Sequence, residues 1–150
     1  MDTLEKVRPF ADSQNPEHTS DLQAREAEVE LAHGNKDRAI ELFSLADKAK
    51  RSAMTIAGVA HASEASGNTE QAIVWYELFL GSAGSSLGWE AQQDCLAAHY
   101  SLARIYFSKG DKASAAKQLD WFLEAWKDAD PGLPLLKEAL SLRKEMDSQP

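Results

Sequence analysis

Residues 100–119 read YSLARIYFSKGDKASAAKQL. Apolar side chains recur at helical spacing as far as Phe107, Gly110-Asp111 interrupts them, and a second helical pattern begins at once. A glycine there supplies the left-handed residue that ends one helix, and the aspartate can cap the free N–H groups of the next. The arrangement occurs three times: HGNKDRAIELFSLA at 33–46, SGNTEQAIVWYELF at 66–79 and KGDKASAAKQLDWF at 109–122. Five residues after each glycine comes an alanine (Ala39, Ala72, Ala115). Four further on are Phe43, Tyr76 and Leu119, and three beyond those are Ala46, Phe79 and Phe122. Steps of four and three place these residues on one helix face, and the small alanine lets two helix backbones approach closely.

A helical pattern also precedes each turn. Leu102, Ala103 and Tyr106 lead into Gly110, and Val59 and Ala60 lead into Gly67. Ahead of Gly34 the pattern is weaker, with Ala27, Val29 and Leu31. The unit is therefore helix–tight turn–helix, with the glycines 33 and then 43 residues apart. Strand signals are lacking: Val and Ile are sparse, period-two alternation is absent, and strong helix formers dominate. The prolines stand near the ends, at 9, 16, 131, 134 and 150, so glycines and Asn/Asp caps alone divide the middle of an all-α chain.

At 150 residues the chain corresponds to one domain by size, and 43% hydrophobic residues set it apart from disordered sequences. A formal charge of −8 argues against nucleic acid as a direct ligand, because phosphate is repelled. No apolar run approaches the roughly 18 residues of a membrane span, so no membrane partner is expected. The start, MDTLEKVRPFADSQ, lacks the basic and apolar regions of a secretory signal. The single Cys95 has no partner for an internal disulfide, and a reducing, cytoplasmic setting is expected.

The three registered copies resemble the tetratricopeptide repeat, a helical hairpin of about 34 residues with Leu-Gly-x-x-Tyr, Ala-x-x-x-Phe and Pro elements. The third copy matches through Leu102, Ala103, Tyr106, Gly110, Asp111, Ala115, Phe122 and Pro131; the second through Ala60, Gly67, Ala72, Tyr76 and Phe79; the first mainly in its second helix. The resemblance spans about Ser20 to Asp130 and departs from the family in three ways. No Trp opens the first helices, Ala stands where Gly is usual, and about nine residues are inserted before the third copy. It implies a right-handed α-solenoid of about three hairpins: a leader at 1–19, repeats at 20–52, 53–80 and 91–130, a Gly/Ser-rich insertion at 81–90, and a capping helix and tail at 131–150. In that last segment Leu135, Leu136, Ala139, Leu140 and Leu142 form the stripe expected to cover the open end. The C-terminal part also loosely resembles repeat regions of larger bacterial regulatory proteins, including serine/threonine kinases, so the chain fits the end of a longer protein.

By the same resemblance, the first helices line a concave face. The inward positions are Glu28 and Leu31, then Met54, Ala57, His61 and Glu64, then Tyr100, Arg104 and Phe107. This mixture suits a peptide or protein segment lying in a groove, with Tyr100 and Phe107 alternatively packing against the capping or second helices. Family members that bind chaperone tails clamp a terminal carboxylate with paired Lys and Asn. Those slots hold Ala24, Glu28, Ala57, His61, Tyr100 and Arg104, so no such clamp is expected.

Catalytic patterns are weak. Cys95 and His99 lie four residues apart, which suits a nucleophile and base, but a small residue in an Ala-rich packing face explains the cysteine better. Gly81, Gly84 and Gly88 lack the Lys-Ser/Thr and the preceding strand of a phosphate loop. Glu26, Glu28 and Glu30 read as a solvated acidic face able to attract a basic partner. No metal-binding spacing occurs among the histidines, and neither metal nor cofactor is expected. Trp75 and Trp121 neighbour the buried stripes, while an exposed Trp89 or Trp126 would mark a partner or self-association patch. The expected function is a non-catalytic scaffold or regulatory module. The alternative is a module that self-assembles through Trp-containing surfaces.

Overall fold

The computed structural model describes residues 15–82 and 89–148; the regular elements among them are all helices, with no strand. The helices are α1 (Pro16–Ala32), α2 (Lys36–Ala49), α3 (Ala53–Ser66), α4 (Thr69–Ser82), α5 (Trp89–Ser108), α6 (Lys112–Ala125) and α7 (Pro134–Ser148). The chain divides into two compact units, Met1–Leu87 and Gly88–Pro150. The division falls in the Gly/Ser-rich stretch. Helix α4 runs on through Ser82 and α5 begins at Trp89, which leaves only 83–88 of that stretch, outside the described residues. The leader's residues 1–14 also lie outside them, and α1 begins at Pro16, inside the segment assigned to the leader.

The turns behave as their residues require. Gly34, Gly67 and Gly110 have φ of 82–83°, a left-handed conformation open to glycine at little steric cost. Their N–H groups bond to Leu31, Glu64 and Phe107 carbonyls at 2.9–3.0 Å. The next N–H groups reach back five residues, to Glu30, Ser63 and Tyr106, at 2.9 Å. This paired closure satisfies carbonyls that a helix end leaves open. Each motif alanine then donates to the Asn or Asp carbonyl four residues earlier, at 3.0 Å. All three alanines are fully buried. The capping side chains differ. Asn68 Oδ1 accepts from Gln71 N at 3.3 Å, and Asp111 Oδ1 accepts from Ser114 N at 3.0 Å. Asn35 makes no side-chain cap, and its amide nitrogen donates to Glu30 at 2.6 Å.

In the first unit, α1 packs on α2, α2 on α3 and α3 on α4, and α1 also touches α3. Ala24, Ala27, Ala39, Leu42, Phe43, Ala46, Val59 and Ala62 form its apolar centre, with Leu31 and Met54 at the edge. Gly58 allows α2 and α3 to meet: a Cβ there would lie 2.3 Å from the Phe43 ring. The α2–α3 corner is polar. Thr55 donates to buried Asp47 at 3.0 Å, Arg51 grips the same carboxylate at 2.9–3.0 Å, and Ser52 and Thr55 cap reciprocally. Ser20 donates to the Lys50 carbonyl and Lys50 pairs with Glu17, tying α1 to that corner.

In the second unit, α6 packs on both α5 and α7, and α5 touches α7. Tyr100, Ala103, Ala115, Leu119, Phe122, Leu136, Ala139, Leu142 and Met146 form its core. The stripe on α7 differs from the expected one. Leu140 is 49% exposed, and Met146 takes the fourth inward place after Leu136, Ala139 and Leu142. Leu136, Leu142 and Met146 each contribute roughly 1.5–3 kcal/mol on burial.

Candidate functional site

Six of the nine sequence-derived positions lie on α1 and α3 of the first unit. Helix α1 presents Glu28 exposed, its carboxylate held by Arg25 at 3.0 Å, and Leu31 half-buried against the core. On α3, Met54, His61 and Glu64 are half-buried, while Ala57 is buried and offers no side-chain surface. His61 tilts against the Tyr76 ring with centroids 5.6 Å apart, and the Tyr76 hydroxyl donates to Glu64 Oε2 at 2.5 Å. Helix α4 therefore fixes the rotamers of both polar residues that α3 presents. An ordered imidazole and carboxylate beside partly covered Met54 and Leu31 suit recognition of a segment with polar and apolar side chains.

The other three positions lie on α5 of the second unit. Tyr100 is 7% exposed, packs on Phe122 at 5.9 Å and donates through its hydroxyl to Glu138 of α7 at 3.2 Å. Phe107 is half-buried against the same core. The packing reading of these two side chains is therefore the one the geometry matches. Arg104 is exposed, its guanidinium 5.8 Å from the Tyr100 ring centroid.

Cys95 and His99 each pack against neighbouring groups. Cys95 is buried, and its thiol is pushed up, first by burial and then by Asp94, away from the thiolate that a nucleophile needs. The His99 ring stacks on Trp121 of α6 at 3.8 Å, and its Nδ1 lies 2.6 Å from Gln118 Oε1. Burial lowers the His99 pKa and the Gln118 bond partly opposes it. Among the described residues no group of three or more His, Cys, Asp or Glu is arranged to hold a metal. A shallow depression of about 570 Å³ opens beside the first turn, where Glu30, Lys36, Asp37 and Arg38 line it with both signs of charge.

Among the described side chains the exposed aromatic is Trp121, at 47%. Trp126 packs on Phe122 at 5.1 Å, and the Trp89 side chain lies outside the described residues. Trp121 follows its turn glycine by eleven residues, as do the exposed Leu45 and Leu78. The position just before the last buried apolar residue of each second helix thus carries a large apolar side chain in water. The aligned sequences contain that signal, but one apolar residue beside another reads as core until the helix face is known. Compared with family models, with curated proteins and with solved structures, the chain finds no match.

Proposed function

We propose that this chain is a non-catalytic, tetratricopeptide-like interaction module that binds a peptide or protein segment along its first helices. The observation that supports the reading is the arrangement of α1 and α3. Each is the first helix of a hairpin, the two touch, and between them they present Leu31, Met54, His61 and Glu64 half-buried. The burial of Cys95 and the engagement of His99 by Gln118 and Trp121 favour recognition over nucleophilic chemistry. No described helix is long and apolar enough to cross a membrane, and a cytoplasmic scaffold or regulatory domain is the setting we propose.

The test is capture from a lysate with the wild-type chain and a Glu28→Arg/His61→Ala/Glu64→Arg variant, both shown by circular dichroism to be folded. The expected result is a protein retained by the wild type and lost by the variant. Its bound segment then slows amide exchange on α1 and α3. Equal retention, or protection elsewhere, overturns the assignment of the face. The exposed Trp121 supports the second reading, self-association. A mass that rises with concentration and falls back in Trp121→Ser selects it.

A further inference from the structure

We propose that the outer face of α7 docks an amphipathic helix with acidic flanks. The inner side of α7 is taken up by the core, through Leu136, Ala139, Leu142 and Met146. The outer side repeats one pattern twice: Leu133 then Lys137, and Leu140 then Lys144. Steps of four, three and four keep these residues on one helix face. Leu133 stands just ahead of the helix and is already in its register, because its carbonyl accepts from Lys137 N at 3.1 Å. Leu133 is 37% and Leu140 49% exposed, and both lysines are exposed. A lone surface leucine is ordinary, and so is a lone lysine. Here two of each share one face, opposite the buried stripe.

Charge identifies the occupant. Two other charged residues of α7 are engaged inside the unit: Arg143 pairs with Asp120 of α6, and Glu138 accepts from the Tyr100 hydroxyl of α5. The ammonium groups of Lys137 and Lys144 make neither an ion pair nor a hydrogen bond with any described residue. Asp147, one turn past Lys144, ends the face and forms no bridge to it. Residues 89–148 hold eight Lys and Arg against ten Asp and Glu, so most of the formal charge of −8 resides elsewhere in the chain. A partner helix with apolar residues at i and i+7 covers Leu133 and Leu140, and Asp or Glu beside that stripe meets the two ammonium groups. A second copy of α7 would bring lysine against lysine. A lipid surface needs a broad apolar side to immerse, and on α7 that side is covered by α6. A nucleic acid would gain two phosphate contacts and meet Glu145 and Asp147 beside them. This surface lies on the last helix and stands apart from the α1–α3 reading.

A synthetic amphipathic helix of about five turns, with a leucine stripe flanked by glutamates, is the probe. Its controls are a scrambled peptide of equal composition and a version with Lys in place of Glu. Binding to the full chain is measured by fluorescence anisotropy. The net charge of −8 favours the Lys version at any nonspecific site, so a preference for the Glu version reports a local basic face. The Glu-flanked helix binds one-to-one and at least about tenfold tighter than either control. Leu140→Ser removes the advantage over the scramble, and Lys137→Glu/Lys144→Glu reverses the preference between the two flanked peptides. Both variants alter exposed positions, and circular dichroism confirms that they are folded. Absence of binding, equal binding of the scramble, or binding that either variant leaves undiminished overturns the proposal. Attachment to vesicles of phosphatidylserine and phosphatidylcholine that the charge reversal abolishes also overturns it and assigns the face to lipid. So does a concentration-dependent mass that Leu140→Ser abolishes, which assigns the face to a second copy.

Discussion

At Gly58 two preferences oppose each other. Alanine is the better helix former by about 1 kcal/mol, and the site is mid-helix. Yet a Cβ would come within 2.3–2.8 Å of three Phe43 ring atoms, and overpacking a filled core costs about 1–3 kcal/mol. Overpacking wins, so Gly58→Ala lowers the midpoint of thermal unfolding. Phe43→Leu combined with it recovers part of the loss, which a double-mutant cycle measures. His99 gives a prediction of different kind. Its lowered pKa means that the folded state prefers the neutral ring. The stability it contributes is full above the ordinary histidine value of about 6.5 and is lost as pH falls through the lower folded value. Denaturant unfolding between pH 7.5 and 5 therefore shows a decline that His99→Phe flattens. Undiminished pH dependence in that variant counts against His99 as the source. These two sites differ in legibility. Gly58 reads in sequence as an unremarkable helix residue, because the ring it accommodates comes from another helix, fifteen positions upstream. Cys95 and His99 are visible as a pair, but their partners Gln118 and Trp121 belong to the next helix, and those partners decide what the imidazole does.

Helices were the more legible scale, because turn chemistry is local. The three glycines, the alanines behind them and the buried rows at 43, 76, 119 and 46, 79, 122 follow from spacing, and all nine row and alanine positions are buried. What spacing leaves open is the second face. On α7, Leu140 continues an apolar run on paper but points to water, while Met146, further along, closes the core. The pattern Leu136–Ala139–Leu142–Met146 is the helical stripe that meets α6. Leu142→Ala accordingly costs about 2–5 kcal/mol in denaturant unfolding, while Leu140→Ala stays within about 0.5 kcal/mol. Comparable losses at both positions would mean that the outer side of α7 is also covered. Among the proposed site residues the same ambiguity separates Tyr100 and Ala57, which are buried, from His61 and Glu64, which α4 orders at the surface. Register on a repeat places a residue on a helix face, and the neighbouring helix decides whether that face reaches water.

For the molecule as a whole, the formal charge of −8 sets a field that precedes any contact. A field of one sign raises the encounter rate with oppositely charged partners and is screened over about 10 Å at 0.1 M salt. A basic segment docking on α1 and α3, as proposed, therefore has an association rate that depends on ionic strength. Its dissociation rate depends mainly on the apolar contacts it makes at Leu31 and Met54. Stopped-flow measurements should show the association rate falling severalfold between about 20 and 200 mM salt, with the dissociation rate changing far less. Met54→Ser should do the reverse, raising dissociation and leaving association nearly unchanged. The two effects separate because long-range attraction acts on the unbound pair, whereas apolar burial is gained only once the partners meet. If salt left the association rate unchanged while Met54→Ser still weakened binding, the net charge would play no part in choosing what docks there.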